Sequence, residues 1–139
     1  MEIRKLGRDD VEAAMGASHL YDEPARREWA ERFLTREGHH LFIAYDDDEP
    51  VGFVTGVEMT HPDKGTEMLL YELAVDEFQR RAGIGAALVT ELRDLAESLG
   101  CYGMWVGTDH DNEAAIATYR STGAADPEPF VLMNWSFTD

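Results

Sequence analysis

Apolar and polar residues recur along this 139-residue chain with two periods, one typical of strands and one of helices. Strand-like segments, with alternating or nearly continuous apolar residues, occupy residues 2–6, 41–45, 51–59, 67–75, 103–107 and 129–137. Helix-like segments, with apolar residues every three or four positions, occupy residues 10–18, 24–37, 82–99 and 112–121. The order β-α-α-β-β-β-α-β-α-β predicts a single α/β (or α+β) domain over residues 1–139, with a mixed central sheet.

Local signals set the ends of several elements. Asp9 or Asp10 can cap the first helix, and Pro24 suits the first turn of the second helix, which Gly38 ends. The acidic run at residues 46–49 lies between two strand-like segments. It therefore predicts a hairpin turn rather than a charged tail.

The charge balance is strongly acidic, with 28 Asp and Glu residues against 12 Lys and Arg and a formal net charge of -16. Such a surface excludes non-specific nucleic-acid binding, which needs a basic face. Two interpretations stay open. One is the solvated surface of a halophilic protein, which the scarcity of Lys and the spread of acids favour. The other is an acidic site for a polycationic substrate.

No apolar run approaches the ~18 residues that a membrane span requires, and the first residues carry no signal-peptide core. We therefore expect a cytoplasmic protein without a membrane partner. The single cysteine, Cys101, follows a predicted helix-to-strand turn. We interpret it as a small buried residue rather than a nucleophile.

The most informative chemistry lies where the strand at 67–75 leads through a glycine-rich turn into the helix at 82–99. The turn reads Arg80-Arg81-Ala82-Gly83-Ile84-Gly85. Free backbone N–H groups at the start of a helix lie at the positive end of its dipole and bind phosphate. Gly83 and Gly85 lack a Cβ atom, so a phosphate can approach the main chain. The turn therefore predicts a nucleotide-bearing cofactor.

Two motifs resemble those of the GNAT family of N-acetyltransferases. The turn at 80–85 resembles the family's Arg/Gln-x-x-Gly-x-Gly/Ala signature. The segment from Asn112 through Tyr119 to Gly123 resembles its Asn-x-x-Ala-x-x-x-Tyr-x-x-x-Gly segment. Because both motifs occur in order and on the expected elements, the resemblance is specific over essentially the whole chain.

A narrower likeness is to type I aminoglycoside 3-N-acetyltransferases. It lies in Leu70-Tyr71-Glu72-Leu73-Ala74-Val75, in the Arg-Arg-x-Gly-Ile turn, in Leu99-Gly100, in Asp109-x-Asp111 and in Ala115-Ile116-Ala117-x-Tyr119. That group has Asp where this chain has Glu72, and Pro where it has Ala114. These departures affect the substrate rather than the family.

The resemblance implies the GNAT fold, a twisted mixed sheet flanked by about four helices and splayed between two parallel strands, with acetyl-CoA as co-substrate. The residues implied to hold the pyrophosphate are Arg80, Arg81, Ala82, Gly83, Ile84, Gly85 and Ala86. The exposed backbone groups implied to pair with pantetheine are those of Leu73, Ala74 and Val75. Asn112 can cap the last helix and also contact the pantetheine arm.

Glu72 and Tyr119 are the expected catalytic residues. An attacking amine must lose a proton, which a carboxylate such as Glu72 can accept directly or through water. The alternative for Glu72 is a solvent-facing or substrate-binding strand residue. Tyr119 lies about two helical turns after Asn112. The resemblance implies that it protonates the departing CoA thiolate, and the alternative is a core aromatic residue.

Asp109 and Asp111 lie between the strand at 103–107 and the last helix, where they could attract a cationic acceptor together with Glu72. Capping of that helix by Asp111 or Asn112 explains the same acidic pattern equally well. His39, His40 and the other histidines lack the spacing of metal ligands. We therefore expect no metal site.

The expected activity is transfer of the acetyl group of acetyl-CoA to a primary amine, with an aminoglycoside or related polyamine as the favoured acceptor. The alternatives are a protein N-terminal or lysine acetyltransferase and a non-catalytic acetyl-CoA-binding module. Glu72 and Tyr119 argue against the last. The expected partner is a small-molecule amine, without nucleic acid, and a homodimer is left open.

Overall fold

The structure, a computed structural model, describes residues 1–80 and 82–138. Its sheet has five strands in the order β1-β2-β3-β4-β5. The strands are β1 (Glu2–Lys5), β2 (His39–Asp46), β3 (Glu49–His61), β4 (Gly65–Val75) and β5 (Met104–Trp105). The helices are α1 (Val11–Gly16), α2 (Arg27–Thr35), α3 (Ile84–Ser98) and α4 (Glu113–Ser121). The predicted α/β class is confirmed.

Three antiparallel pairs and one parallel pair build the sheet. Strands β1, β2 and β3 each pair antiparallel with the strand that follows, and β4 pairs parallel with β5. The parallel pair needs a crossover, which α3 supplies. The acidic turn between β2 and β3 is confirmed: Asp47 and Asp48 have φ of 48° and 70°. Two consecutive positive φ values are typical of the tight hairpin turns that match strand twist.

Each face of the sheet is covered by its own helices. On one face α3 buries Ile84, Leu88 and Leu92 against strand residues such as Val54 and Met68. On the other face, α1 and α2 cover a smaller core. The residues of that second core are Leu6, Ala14, Ala17, Leu41, Ile43, Tyr45 and Phe53. The molecule is therefore a three-layer arrangement, with the sheet between two helical layers.

The prediction that Pro24 begins the second helix was wrong. Pro24 precedes α2, and the segment before that helix is held by side chains instead. The Ala25 N–H donates to Ser18 Oγ at 2.7 Å, and the Tyr21 hydroxyl donates to the Ala14 carbonyl oxygen at 2.8 Å. The Tyr21 bond ties the loop between α1 and α2 onto α1, and the Ala25 bond closes the loop on itself, so α2 begins only at Arg27.

The predicted last strand at 129–137 was also wrong. Residues 124–138, which we call the arm, form neither strand nor helix. The arm is exposed throughout, and Phe137 has 93% of its surface accessible. A strand needs a partner with free hydrogen-bonding groups, and the arm meets none within the described part of the chain.

Candidate active site

Strand β4 separates from β5 almost as soon as the two have paired. The parallel register joins Met68 to Met104 and Leu69 to Trp105, and no further pair follows. At the next position β4 carries a bulge against β3: Gly56 faces Leu70 and Thr55 faces Glu72, so Tyr71 is an extra residue. A bulge bends a strand and increases its twist. The gap beyond it, between β4 and the chain that follows β5, we call the fork.

The backbone of β4 presents two residues to the fork. The Asp76 N–H donates to the Val51 carbonyl oxygen at 2.8 Å, toward β3. Because successive residues of a strand direct their backbone groups to opposite sides, Leu73 and Val75 face the fork. Arg80 Nε donates to the Val75 carbonyl oxygen there, at 3.4 Å.

Ala74 differs from the expectation that it would pair with pantetheine. A Cβ atom built on Gly52 of β3 would lie 3.1 Å from the Ala74 carbonyl oxygen. That carbonyl therefore points toward β3 and away from the fork. Only Leu73 and Val75, of the three residues expected to pair with a ligand, have backbone groups on the open side.

Gly83 caps the start of α3 in the left-handed region, with φ of 80°. The first intrahelical bond runs from the Ala87 N–H to the Gly83 carbonyl oxygen at 3.0 Å. The N–H groups of Ile84, Gly85 and Ala86 therefore have no acceptor within the helix. Among the described residues, no atom outside Gly83 and its two chain neighbours lies within 4 Å of a Cβ atom built on Gly83, so the space beside this turn is open.

The end of β4, the start of α3 and helix α4 meet at Gly85. A Cβ atom built on Gly85 would lie 3.6 Å from Thr118 Cγ2 and 3.7 Å from Val75 Cγ2. The structure therefore brings together the strand, the turn and the helix that carry both motifs. Ala82 and Arg80 lie exposed beside them. The predicted ligand Arg81 lies outside the described residues.

Tyr119 extends from α4 into the core beside the fork. It packs against the core cluster on the α3 side, as Leu73, Val75 and Val106 also do. Burial raises the pKa of the Tyr119 hydroxyl above its ordinary value. The phenol therefore stays protonated at neutral pH, and it can donate a proton or a hydrogen bond.

Glu72 follows the bulge and lies on the sheet face that α1 and α2 cover, opposite Thr55. The Thr55 hydroxyl donates to Glu72 Oε1 at 3.4 Å. Burial raises the pKa of the Glu72 carboxyl, and the nearby negative charge of Asp22 raises it further. A carboxylate with a raised pKa is a stronger base than an ordinary one.

Sequence reasoning did not predict Asp22 as a neighbour of Glu72. Asp22 belongs to the loop that Tyr21 ties onto α1. No motif marks this loop, and the electrostatic interaction joins residues far apart along the chain. The only available signal was that a substrate site often lies on loops held by a rigid scaffold.

The loop that leads into α4 carries the other predicted site residues. Asn112, not Asp111, caps the helix: its Oδ1 accepts the Ala115 N–H at 3.1 Å. The amide nitrogen of Asn112 donates to Thr108 Oγ1 at 3.4 Å. Asp109 and Asp111 are exposed and make no side-chain capping bond to α4.

The described residues provide neither a metal-binding cluster nor a membrane-spanning helix. Within residues 1–80 and 82–138, no group of three or more His, Cys, Asp or Glu side chains is arranged to hold a metal ion. None of the described helices is long and apolar enough to cross a membrane.

Comparison with known proteins identifies the family. The model of the acetyltransferase (GNAT) family matches residues 7–124. The chain belongs to this family. The GNAT protein is 34% identical over 100 residues to the [ribosomal protein bS18]-alanine N-acetyltransferase of Salmonella typhimurium, a match covering 68% of this chain and 63% of that protein. It spans less than two thirds of the length of the first curated relatives that it matches.

Solved structures share the fold of this GNAT protein. An aminoglycoside acetyltransferase from a soil metagenomic sample, in complex with sisomicin, superposes with a TM-score of 0.89 at 21% identity, over 99% of this chain and 96% of that one. The aminoglycoside N-acetyltransferase AAC(6')-Iy in complex with CoA superposes with a TM-score of 0.79 at 18% identity, over 96% of this chain and 93% of that one. At these identities the likeness concerns the fold.

The residues at the fork fit acetyl-CoA. The open space before Gly83 and the unpaired N–H groups of Ile84, Gly85 and Ala86 suit a pyrophosphate. The backbone groups of Leu73 and Val75 suit the amides of a pantetheine arm, which takes the place of a neighbouring strand. The fit depends on main-chain groups, so it tolerates side-chain variation at most of these positions.

Proposed function

We propose that this GNAT protein transfers the acetyl group of acetyl-CoA to a primary amine of an aminoglycoside or a related polyamine. The observation that carries the proposal is the position of Glu72 and Tyr119 near the fork. Glu72 follows the β4 bulge, and Tyr119 packs against the same core cluster as Leu73 and Val75. A proton acceptor and a proton donor are thus available next to one candidate acetyl-CoA site.

In the proposed reaction the amine directly attacks the thioester of acetyl-CoA. Glu72 accepts the proton that the amine loses, directly or through a water molecule. Tyr119 donates a proton to the departing thiolate. Cys101 is half-buried, and burial raises the pKa of its thiol, so it is a poor nucleophile for an acyl-enzyme route.

Negative charge around the site supports a cationic acceptor. Asp22 lies close enough to Glu72 to raise its pKa. Asp109 and Asp111 add exposed carboxylates on the loop before α4. An acceptor with several ammonium groups gains from each of these charges, whereas a neutral peptide does not.

Within this class we propose the 3-amino group of an aminoglycoside as the first position to test. The support is the likeness of residues 70–75 and of the turn at 80–85 to type I aminoglycoside 3-N-acetyltransferases. The sisomicin complex of a protein with the same fold supports the broader class of acceptor. The acetylated position is identified by NMR of the product.

A second candidate is acetylation of a protein N-terminus or of a lysine. The observation that favours it is the 34% identity over 100 residues to a ribosomal protein bS18-alanine N-acetyltransferase. The two candidate functions require acceptors of different shape and charge. An aminoglycoside carries several charges on a rigid ring system, and a peptide presents one amine at the end of a flexible chain.

The deciding experiment measures release of free CoA from acetyl-CoA with a panel of acceptors, in low salt and in molar KCl. The panel contains aminoglycosides, spermidine, a peptide that begins with alanine and a lysine peptide with a blocked N-terminus. We expect the highest kcat/KM with an aminoglycoside. A higher kcat/KM with the alanine peptide would replace the proposal with the second candidate. Binding of acetyl-CoA with no formation of free CoA for any acceptor in the panel would favour the non-catalytic acetyl-CoA-binding module.

A further inference from the structure

A cleft of about 420 Å³ lies beside β5, outside the fork. The residues that line it are Glu67, Tyr102, Gly103, Met104, Trp105 and Phe130. None of them is among the residues assigned above to acetyl-CoA or to catalysis. Sites for small molecules have volumes of about 300–1,000 Å³, so this cleft is large enough for a small organic ligand.

The carboxylate in this cleft lies apart from the proposed catalytic carboxylate, although both belong to β4. Glu67 and Glu72 are five residues apart in that strand. Because a strand rises about 3.3 Å per residue, roughly 15 Å separates the two positions. Leu69, which pairs with Trp105 of β5, lies between them. The cleft is therefore a second location, distinct from the fork.

Three aromatic side chains line the cleft. The exposed fractions of Tyr102, Trp105 and Phe130 are 55%, 40% and 68%, so each of them presents surface to a ligand. The ring centres of Trp105 and Phe130 lie 6.4 Å apart, and the ring planes are inclined by 54°. The face of an aromatic ring carries negative electrostatic potential and attracts a cation within about 6 Å of its centre. Rings grouped in this way favour a cationic ligand.

Glu67 adds a full negative charge to the same cleft. Its Oε2 atom accepts hydrogen bonds from the Tyr102 hydroxyl and from His61 Nε2, the latter at 2.5 Å. These bonds lower the pKa of the Glu67 carboxyl, so the group is ionised at neutral pH. The side chain is only 15% exposed. A charge with little access to water attracts a cation more strongly than a fully solvated charge does.

No lysine or arginine among the described residues neutralises this charge within the cleft. The ion pairs of the described chain give Glu67 only His61 as a partner. Among the described residues that line the cleft, Glu67 is also the only charged one. The site therefore suits a ligand that has a positive charge, no negative group and an otherwise apolar surface.

We propose that the cleft beside β5 binds a small molecule that carries a methylated ammonium group. Methyl groups on the nitrogen give the cation an apolar surface, and aromatic rings recognise cations of this kind. An unmethylated ammonium group is compact and strongly hydrated, so it leaves water less readily. Glu67 would lie beside the charged nitrogen, and Tyr102, Trp105 and Phe130 would contact its methyl groups.

The first test compares three ligands by titration calorimetry in about 0.1 M KCl. They are choline, ammonium chloride and the neutral alcohol in which a carbon atom replaces the quaternary nitrogen of choline. We expect choline to bind with a dissociation constant of about 1 mM, about tenfold or more tighter than the alcohol of the same shape. Ammonium should also bind more weakly than choline.

Two pairs of variants locate the site. Glu67→Gln keeps the size of the side chain but removes its charge, and Trp105→Leu removes one ring; each should weaken choline binding by about tenfold. Asp63→Asn removes the same charge from an exposed residue of the turn between β3 and β4 that does not line the cleft. Trp29→Leu removes an exposed ring from α2. Both controls should bind choline within about twofold of the parent. Far-ultraviolet circular dichroism checks that all four variants are folded.

The indole N–H signals of the tryptophans locate the ligand on the parent protein by NMR. Choline should shift the signal of Trp105 and leave that of Trp29 unchanged. No choline binding, or equal affinity for choline and the neutral alcohol, would overturn the proposal. Equal affinity for ammonium would overturn the assignment to a methylated group. Equal losses in Glu67→Gln and Asp63→Asn would also overturn the proposal, because choline would then respond only to the net charge of -16.

Discussion

Burial shifts the pKa of two side chains near the fork in the same direction. Tyr119 packs against the core on the α3 side, and burial raises the pKa of its hydroxyl, so the phenol stays protonated and can donate a proton. Glu72 accepts a hydrogen bond from the Thr55 hydroxyl, and burial and the negative charge of Asp22 raise the pKa of its carboxyl. A raised pKa makes this carboxylate a stronger proton acceptor than an ordinary one, which suits the acid and base roles proposed for the pair.

The Tyr119→Phe variant tests the donor. It keeps the ring and its packing but removes the hydroxyl, so kcat should fall by about 10²–10⁴-fold, the usual effect of losing a general acid. The KM for acetyl-CoA should change little. Steady-state kinetics of CoA release provide the measurement. Tyr45→Phe, at a buried tyrosine of the other core, is the matched control and should keep full activity. Unchanged kcat in Tyr119→Phe would leave Tyr119 as a packing residue.

The Glu72→Gln variant should lose activity and gain stability at neutral pH. Because the folded-state pKa of Glu72 is raised, its contribution to stability is present below the unfolded pKa and is lost as pH rises through the folded pKa. Above that pH the parent bears the cost of a desolvated charge and the variant does not. Thermal melts should therefore give the variant the higher Tm at pH 8, with the difference vanishing below about pH 4.

Glu67→Gln is the control, for which we expect the opposite change in Tm. Hydrogen bonds from Tyr102 and His61 lower the pKa of the Glu67 carboxyl. Its contribution to stability is therefore present above the unfolded pKa and is lost as pH falls through the folded pKa. This variant should melt below the parent at pH 8. If both variants shifted Tm in the same direction, burial would not be the cause of the Glu72 shift.

At the scale of elements, we expect cofactor binding to depend on the start of α3. Gly83 has a left-handed backbone and open space beside it. The N–H groups of the three residues that follow it have no acceptor within the helix. Gly100, just beyond the other end of the same helix, has nearly the same φ of 82° and the same open surroundings. Matched substitutions at the two glycines therefore distinguish the effect of backbone strain on CoA affinity from the effect of blocking the ligand.

Gly83→Asp should weaken CoA binding by about tenfold or more, since its carboxylate would repel the phosphates. Gly83→Asn carries the same bulk without charge, and asparagine tolerates a left-handed backbone; it should bind CoA more tightly than the aspartate variant. Gly100→Asp introduces comparable strain and the same charge at the far end, and it should bind CoA like the parent. Titration calorimetry with CoA measures all three. Equal affinity of Gly83→Asp and the parent would disprove the phosphate site.

The elements differ in how well sequence predicts them. Helix α3 and the hairpin at Asp47 and Asp48 were predictable because local chemistry determines both. The arm was predicted as a strand because its pattern is that of a strand, but pairing requires an edge that no local signal provides. The site divides in the same way. Glu72 and Tyr119 lie within motifs, whereas the effect of the Asp22 charge on the pKa of Glu72 depends on how a distant loop folds.

At the scale of the whole molecule, we expect the net charge of -16 to act on the stability of the fold. Self-repulsion destabilises the compact state, and salt screens it. Tm should therefore rise between 0.1 M and about 1 M KCl. Asp47→Asn/Asp48→Asn removes two charges while keeping residues that accept positive φ, and it should reduce the dependence of Tm on salt. A Tm that does not respond to KCl would contradict the halophilic interpretation. It would favour the interpretation that the acidic residues form a site for a cationic acceptor.

Tyr71 is the extra residue of the β4 bulge, so the width of the fork depends on chain length at one position. Deleting Tyr71 would remove the bend and let β4 and the chain after Trp105 continue their parallel ladder. The shortened protein should melt at a higher temperature and lose CoA binding in calorimetry, whereas Tyr71→Ala, which keeps the chain length, should still bind. Retained binding after the deletion would show that the bulge does not open the fork. Insertion of one residue into a regular strand would thus be enough to separate two paired strands and open a ligand-binding gap between them.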